Sequence, residues 1–215
     1  MTTNYEEHLI TTTGGDKIRI SLSVPLLRAD NLGLITWGGA YVLANILHRL
    51  PIPDPPTDGL LPVLELGAGT GLVGITAAIL WKTRVVLTDL EPIVPDLFLE
   101  RGGSALSGTL DWNEPRRLLI VGGADTANDE LNKASVILCA DTMYTEEHPG
   151  LISQTIFAQL KRRPTSRAVA CYPMRVAYLD AMREFYERME EGGMILVEEG
   201  REELLDERWM SQVVQ

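Results

Sequence analysis

The sequence predicts an α/β protein with a doubly wound, mainly parallel sheet and helices on both faces of that sheet. Short apolar segments typical of strands alternate with longer segments whose apolar residues recur at helical spacing. Several of the strand segments are apolar at nearly every position, as strands buried on both faces are. A glycine-rich loop from Gly67 to Gly71 joins one of these strands to a helix, as in cofactor-binding βαβ units.

The chain begins with an extension that precedes the alternating series. We expect residues 1–34 to form an N-terminal extension with a strand or hairpin, and residues 35–215 to form the main domain. Lys17 to Val24 alternates partly and predicts a strand. Trp37 to Leu50 has apolar residues at helical spacing and predicts a helix. The five prolines between Pro51 and Pro62 exclude a helix and a central strand there, and predict a loop.

The remaining elements follow from the alternation of short apolar runs and longer amphipathic or apolar runs. We predict strands at 63–66, 84–88, 118–121, 136–140, 168–172 and 194–198, and helices at 72–81, 93–100, 151–163 and 176–191. The glycine-containing stretch from Gly102 to Pro115 is interpreted as a linker. The last strand of the sheet is expected to be short or missing, because a mainly polar stretch follows Glu199.

Composition and charge restrict the class of partner. Of the 215 residues, 45% are hydrophobic and 23% are charged, which excludes a disordered chain. The formal net charge is −11, from 19 basic and 30 acidic residues. Such a surface repels phosphate backbones and attracts basic partners, so we expect no nucleic-acid partner. The alternative is that the acidity only keeps the protein in solution.

The cysteines and the N-terminus predict a reduced, cytoplasmic protein, with a nuclear pool as the alternative. Cys139 and Cys171 lie in short apolar runs, so we expect free buried thiols and no metal site. The N-terminus has no basic segment followed by an apolar core. No apolar run approaches the roughly 20 residues that cross a bilayer, so no membrane partner is expected.

The segment from Glu65 to Gly71, with the sequence ELGAGTG, is the most informative motif, and two ligands compete for it. The frame from Gly69 to Gly74 fits the dinucleotide fingerprint G-x-G-x-x-G. The frame E-x-G-x-G-x-G is similar to the loop that binds S-adenosylmethionine (SAM). A dinucleotide places its pyrophosphate on the helix N-terminus, where a nearby carboxylate gives no benefit. SAM carries a sulfonium and an ammonium group, which favour Glu65.

Two further residues bear on the cofactor. Asp89 ends the next predicted strand, and its carboxylate can accept both ribose hydroxyls of either cofactor. Asp141 ends the predicted strand at 136–140. Three carboxylates at one edge of a sheet repel one another, which favours a cationic cofactor and a cationic substrate. A tight turn that binds no ligand is the remaining interpretation of the glycine loop.

Four segments between about residues 35 and 200 carry a family resemblance: the Trp37 segment; ELGAGTG; Thr88-Asp89-Leu90 with Leu110-Asp111-Trp112; and Ala140-Asp141-Thr142-Met143-Tyr144. With these segments the chain resembles the class I, seven-strand SAM-dependent methyltransferases, and within them the protein-lysine methyltransferases that carry a D-x-x-Y motif. The placement of D-x-x-Y just after the fourth strand of the fold is the most specific of the four features. The segment from Phe98 to Gly103 departs from the family pattern, in which it is asparagine-rich.

The resemblance implies a role for each matching residue. The cofactor-binding residues would be Trp37 at the mouth of the pocket, Gly67, Ala68 and Gly69 through their backbone, Asp89 on the ribose, Trp112 over the adenine and Ala140 from the strand end; Glu65 joins them on the charge argument above. Asp141 and Tyr144 would be catalytic and face the methyl group and the substrate. As alternatives, Trp37 and Trp112 could be ordinary core or rim aromatics, Asp141 could cap a helix that starts near Thr145, and Tyr144 could be an ordinary half-buried tyrosine.

The resemblance implies a SAM-dependent N-methyltransferase that acts on a lysine side chain of a basic protein substrate by in-line displacement, with S-adenosylhomocysteine as product. We expect a monomer, with a hetero-complex as the alternative. Three other functions stay open: methylation of a small-molecule amine, a non-catalytic SAM-binding subunit, and an NAD(P)-dependent oxidoreductase.

Overall fold

The structure is a computed structural model and describes residues 4–24, 28–29, 32–33, 35–53, 61–90, 105–121 and 133–204. The strands are β1 (Asn4–Thr11), β2 (Lys17–Val24), β3 (Arg28–Ala29), β4 (Leu32–Gly33), β5 (Val63–Leu66), β6 (Val85–Asp89), β7 (Ala105–Leu110), β8 (Leu118–Ile120), β9 (Val136–Ala140) and β10 (Arg167–Cys171). The helices are α1 (Gly38–Ile46), α2 (Leu72–Trp81), α3 (His148–Gln159) and α4 (Leu179–Glu191). A 3-10 turn, Leu47–Arg49, extends α1, and another, Val176–Tyr178, precedes α4.

Six strands form the central sheet in the order β10-β9-β5-β6-β7-β8. The first five strands in this order run parallel, and β8 is antiparallel to β7 at one edge. From β5 the chain first winds outwards through β6 and β7, and later crosses to β9 and β10 on the other side. This is a doubly wound, mainly parallel sheet, as the sequence predicts.

Helices cover both faces of the sheet, and the strand residues alternate between two cores. Val63 and Leu87 face a core formed with α1, α2 and the β1–β2 hairpin. Leu64 and Val86 face the opposite core, which contains residues of α3 and α4. Both faces of β5 are therefore buried, and this burial explains why its sequence is apolar without the alternation of a half-exposed strand.

The N-terminal hairpin packs on the α1–α2 face. Its strands pair in register from Asn4 opposite Val24 to Thr11 opposite Lys17, and the intervening turn uses Gly15 with a φ of 82°. Ile10 and Ile20 are fully buried in the same core as α1 and α2. The predicted strand at Lys17–Val24 is confirmed. The division of the chain at residues 34 and 35 stays a prediction.

Two predictions about strands are wrong. Residues 194–198 form no strand, and Ile195, Leu196 and Val197 are exposed. The stretch interpreted as a linker contains β7. Gly108 lies inside β7 where a Cβ atom would come within 3.1 Å of the Leu119 carbonyl oxygen, so this glycine permits the close approach of β8. The prediction of a short or missing last strand stays a prediction, because residues 205–215 lie outside the described ranges.

The helix predictions differ from the structure mainly at the ends. α2 has the predicted bounds. α3 begins at His148, three residues earlier than predicted, because Pro149 fits the first turn, where the backbone N–H has no helical partner. It ends at Gln159, and Leu160 instead bridges to Ala134. The predicted helix at 93–100 lies outside the described residues.

Candidate active site

The candidate site lies where the winding direction of the sheet reverses, between β5 and β9. The glycine loop follows β5, Asp89 ends β6 on one side, and Asp141 follows β9 on the other. Parallel strands end at a common edge, and doubly wound sheets bind ligands at that edge where the strand order reverses. The three segments singled out in the sequence are therefore brought to one crevice.

The glycine loop has a backbone that requires glycine. Gly67, Gly69 and Gly71 all have positive φ, at 61°, 51° and 78°. A Cβ atom on Gly67 would lie 3.0 Å from the Thr142 side chain and 3.2 Å from the Trp112 ring. At Gly69 a Cβ atom would meet nothing within 4 Å. The loop therefore leaves the backbone at Gly69 open to a ligand.

The end of β6 holds this loop in place. The Ala68 amide donates to the Thr88 carbonyl oxygen at 2.9 Å, and the Gly69 amide donates to Asp89 Oδ2 at 2.8 Å. The other carboxylate oxygen of Asp89 accepts from the Leu90 amide at 2.8 Å. Burial raises the pKa of Asp89, and these two amides act in the opposite direction. Asp89 thus positions the loop, and its contact with a ribose stays a prediction.

Glu65 lies beneath α2. The alternation of β5 turns its side chain towards the helix, where Oε2 accepts from the Gly74 amide at 2.9 Å. Burial raises the pKa of Glu65 to about 8; the Gly74 amide lowers it and the charge of Asp89 raises it further. This carboxyl group joins strand to helix, and its direct contact with a cofactor stays a prediction.

Asp141 caps a helix, but a different helix from the one considered in the sequence. Its Oδ2 accepts from the Gly39 amide at 2.6 Å, at the N-terminus of α1 and 102 residues away in the chain. Trp37, the residue at the N-cap position of α1, makes no side-chain cap of its own. Asp141 also has a φ of 53°, in the left-handed region. The backbone turn after β9 therefore directs this carboxylate to the α1 terminus.

The surroundings of Asp141 act on its charge in opposite directions. Burial raises the pKa of Asp141 to about 6, whereas the amides of Gly39 and Ala40 and the positive charge of Arg175 lower it. At pH 7 the carboxylate is therefore mainly ionised, in a position that is only partly accessible to water. A carboxylate offers about four lone-pair sites, so the two amides leave capacity for a cation.

His148, which no sequence motif indicated, lies between Tyr144 and Trp112. Tyr144 is 46% exposed. The His148 ring meets the Tyr144 ring edge-on at 4.2 Å between centroids, and the Trp112 ring edge-on at 5.5 Å. The sequence carries little signal for His148, because the predicted helix starts at residue 151 whereas α3 starts at His148 itself.

The other predicted residues lie at the same edge. Trp37 is the N-cap residue of α1, two positions before the Gly39 amide that Asp141 binds, and Ala140 ends β9. Both are partly buried. Thr70 of the glycine loop adds a contact that the sequence did not indicate, because its hydroxyl lies 2.8 Å from the Thr36 hydroxyl. The predicted site residues thus lie at one end of the sheet, and Glu65 lies beneath α2 at the same end.

Three further observations concern metal binding, membrane spans and the cysteines. Within the described ranges, no three His, Cys, Asp or Glu side chains form a cluster that could hold a metal ion. None of the helices in those ranges is long and apolar enough to span a membrane. Cys139 is buried, Cys171 is partly buried, and both thiols are free.

Comparison with known proteins assigns the family. Residues 21–192 match the family described as lysine methyltransferases. The chain is 30% identical over 209 residues to the protein-lysine N-methyltransferase EFM2 of Saccharomyces cerevisiae, covering 87% of this chain and 48% of the relative. It is 29% identical over 193 residues to the protein-lysine N-methyltransferase rrg1 of Schizosaccharomyces pombe, covering 82% and 58%.

A third relative is the protein N-lysine methyltransferase METTL21A of Danio rerio, 37% identical over 153 residues that cover 67% of this chain and 62% of the relative. The chain spans about half the length of the first two curated relatives, with shares of 48% and 58%. The family match covers most of the chain, including the second half of β2 and the described elements from α1 to α4. The chain therefore belongs to the lysine methyltransferase family.

Proposed function

We propose that this protein is a SAM-dependent methyltransferase that transfers a methyl group to a lysine side chain of a protein. The observation that carries the proposal is the convergence of the glycine loop, Asp89 and Asp141 on one crevice of the sheet. Membership of the lysine methyltransferase family and the names of the relatives support the same activity.

The residues at the crevice suit SAM as cofactor. The open backbone at Gly69 admits a close ligand, and the partly exposed Asp89 carboxylate can accept hydrogen bonds from ribose hydroxyls. Trp112 lies against Gly67, where its ring can cover an adenine. The carboxylates of Asp89 and Asp141 at the strand ends favour a cationic ligand over a pyrophosphate, whereas Glu65, with a pKa raised to about 8, is mainly uncharged at pH 7. When bound, SAM supplies a methyl group made electrophilic by its sulfonium.

The acceptor side uses Asp141 and Tyr144. A free lysine has a pKa of about 10.4, so it arrives at neutral pH as an ammonium ion. Asp141, mainly ionised at pH 7, can receive that ammonium, and the exposed Tyr144 ring can orient it by a hydrogen bond or a cation–π contact. The ammonium would lose its proton to solvent at this partly exposed site, and the neutral amine would be the nucleophile. The protein contributes mainly orientation, which can supply several kcal/mol, of order 7 at the upper end.

Titration calorimetry and a transfer assay test the two halves of the proposal. We expect micromolar binding of SAM and S-adenosylhomocysteine and no binding of NADH. Asp89→Ala should weaken the binding of both compounds at least tenfold, since it removes the ribose acceptor and the support of the Gly69 amide. Asp16→Ala, at the exposed turn of the N-terminal hairpin, is the matched control and should bind as the parent does.

The transfer assay follows the labelled methyl group of SAM into a cell extract that has been separated into protein and metabolite fractions. Label on lysine of the protein fraction is the expected result. Label only in the metabolite fraction would replace the protein acceptor with a small amine. Tight SAM binding without transfer to either fraction would contradict catalysis and favour a non-catalytic subunit. Binding of NADH in place of SAM would overturn the cofactor assignment.

A further inference from the structure

His148 lies between the two sides of the crevice. It is the first residue of α3, and its ring meets both Tyr144 and Trp112 edge-on, with interplanar angles of 82° and 85°. Edge-on geometry is the favoured arrangement of aromatic pairs, because the positive ring edge faces the negative ring face. One imidazole thus touches both the predicted acceptor-side aromatic residue and the predicted adenine-side aromatic residue.

A hydrogen bond gives this imidazole a defined orientation. The Tyr144 amide donates to His148 Nδ1 at 3.2 Å. In return, the His148 amide donates to the Thr145 carbonyl oxygen at 3.3 Å. Nδ1 accepts only when it carries no proton, so the contact requires the neutral ring with its proton on Nε2. Burial lowers the pKa of His148, which favours this neutral form at pH 7.

We propose that His148 is a positioning residue that fixes Tyr144 and Trp112 relative to each other, and so couples the acceptor side of the site to the cofactor side. The proposal rests on the proposed function for the roles of those two aromatic residues. The imidazole supplies two separable contacts. Its Nδ1 fixes the backbone at Tyr144, and its ring edges fix the orientations of the two aromatic rings.

Three substitutions separate these contacts. His148→Asn keeps an acceptor atom one bond from Cγ, where Nδ1 stands, and removes the ring. His148→Phe keeps a ring of similar size and removes the acceptor. His148→Ala removes both. His48→Asn changes a partly buried histidine in the 3-10 turn after α1, at the far end of that helix, and serves as the matched control.

The first readout needs no turnover. Selective 15N labelling of the six tyrosines gives a small set of amide signals, and Tyr144→Phe assigns the signal of Tyr144. We expect His148→Phe and His148→Ala to shift this signal and His148→Asn to restore much of its position. Titration with S-adenosylhomocysteine should show about three- to tenfold weaker binding in His148→Asn and His148→Ala, as expected for a lost aromatic contact, and binding within about twofold of the parent in His148→Phe.

The second readout is the initial rate of methyl transfer from saturating SAM into extract protein. All three variants should transfer at least about fivefold more slowly than the parent, although saturation compensates for weaker cofactor binding. Parent-like cofactor affinity, rate and Tyr144 signal in folded His148→Ala would overturn the proposal. Equal losses in all three variants and in His48→Asn would also overturn it, because they would indicate a general effect on folding. A parent chain that transfers no methyl group contradicts the proposed function, while the amide signal and the cofactor affinity still test His148.

Discussion

At the residue scale, Asp141 combines a structural task with a chemical one. It occupies the left-handed region of backbone conformation, caps α1 from a distant part of the chain, and carries the charge proposed to receive a lysine ammonium. Asp and Asn are the non-glycine residues that adopt this conformation most readily. The sequence motif identified Asp141 as a candidate, but its partner Gly39 could not be predicted, since nothing local links two residues 102 positions apart.

The two tasks of Asp141 can be separated by substitution. Asp141→Asn keeps an acceptor for the Gly39 amide and the tolerance of positive φ, so we expect unfolding free energy within about 1 kcal/mol of the parent. Asp141→Ala loses the cap and should cost about 1–2 kcal/mol in urea denaturation. Both variants should transfer methyl groups at least tenfold more slowly because both lack the charge. Parent-like turnover in Asp141→Asn would show that the charge has no part in the reaction.

The pH dependence of kcat/KM follows from the raised pKa of Asp141. The carboxylate is ionised above about pH 6 and protonated below it, so kcat/KM should fall about tenfold per pH unit below that value on account of this group. Burial lowers the pKa of His148 from its ordinary value, so this imidazole is a second titratable group at the site. Asp141→Asn retains His148, so an inflection near pH 6 that persists in this variant would assign it to another group.

At the element scale, prediction succeeded where the signal is local. The apolar run of β5, the glycines after it and the apolar run of α2 give the observed bounds. The sequence did not predict β7, because Gly108 weakens the strand pattern. The reason for a glycine at position 108 is visible only in the structure, where β8 lies close to this residue. The segment 194–198 was wrongly predicted as a strand because apolar, β-branched composition measures suitability for a sheet and not the presence of a neighbouring strand.

Replacing a helical glycine by alanine should have opposite effects on stability in α2 and in α3, because only the α2 glycine lies tightly against the sheet. A Cβ atom on Gly74 would lie 2.0 Å from Leu87 Cδ2 and 2.4 Å from Glu65 Oε2. A Cβ atom on Gly150 of α3 would meet nothing closer than 3.6 Å. We expect Gly74→Ala to destabilise by about 1–3 kcal/mol despite its better helix propensity, and Gly150→Ala to stabilise by about 0.5 kcal/mol. Thermal unfolding measures both changes, and a stabilising Gly74→Ala would contradict this packing.

At the scale of the whole molecule, the N-terminal hairpin is joined to the crevice by a buried chain of hydroxyl and imidazole groups. The Thr36 hydroxyl lies 3.3 Å from His8 Nε2 on β1 and 2.8 Å from the Thr70 hydroxyl in the glycine loop. All three side chains are buried. The sequence suggested an extension separate from the main domain, and this polar chain could not be foreseen because each member is a common residue without a motif.

Thr36→Val tests this coupling because valine keeps the shape and removes the shared hydroxyl. We expect a loss of about 1–3 kcal/mol in unfolding free energy and weaker binding of S-adenosylhomocysteine through the altered loop. In a double-mutant cycle with Thr70→Val, the two losses should fail to add by about 0.5 kcal/mol or more. Strict additivity, with unchanged cofactor affinity, would show that the hairpin and the loop are independent.

Because of the carboxyl group of Glu65, folding at neutral pH is coupled to the uptake of a proton. With a pKa of about 8 in place of 4.5, it holds its proton at pH 7, so the native chain carries one negative charge fewer than the formal −11. The unfolded chain releases that proton above about pH 4.5. The contribution of Glu65 to the free energy of unfolding is therefore greatest below pH 4.5 and is lost as the pH rises through 8. Refolding at pH 7 should draw close to one proton from the buffer on account of this group, and the measured heat should change with the ionisation enthalpy of the buffer. In Glu65→Gln, the part of the refolding heat that changes with the buffer because of this proton should disappear.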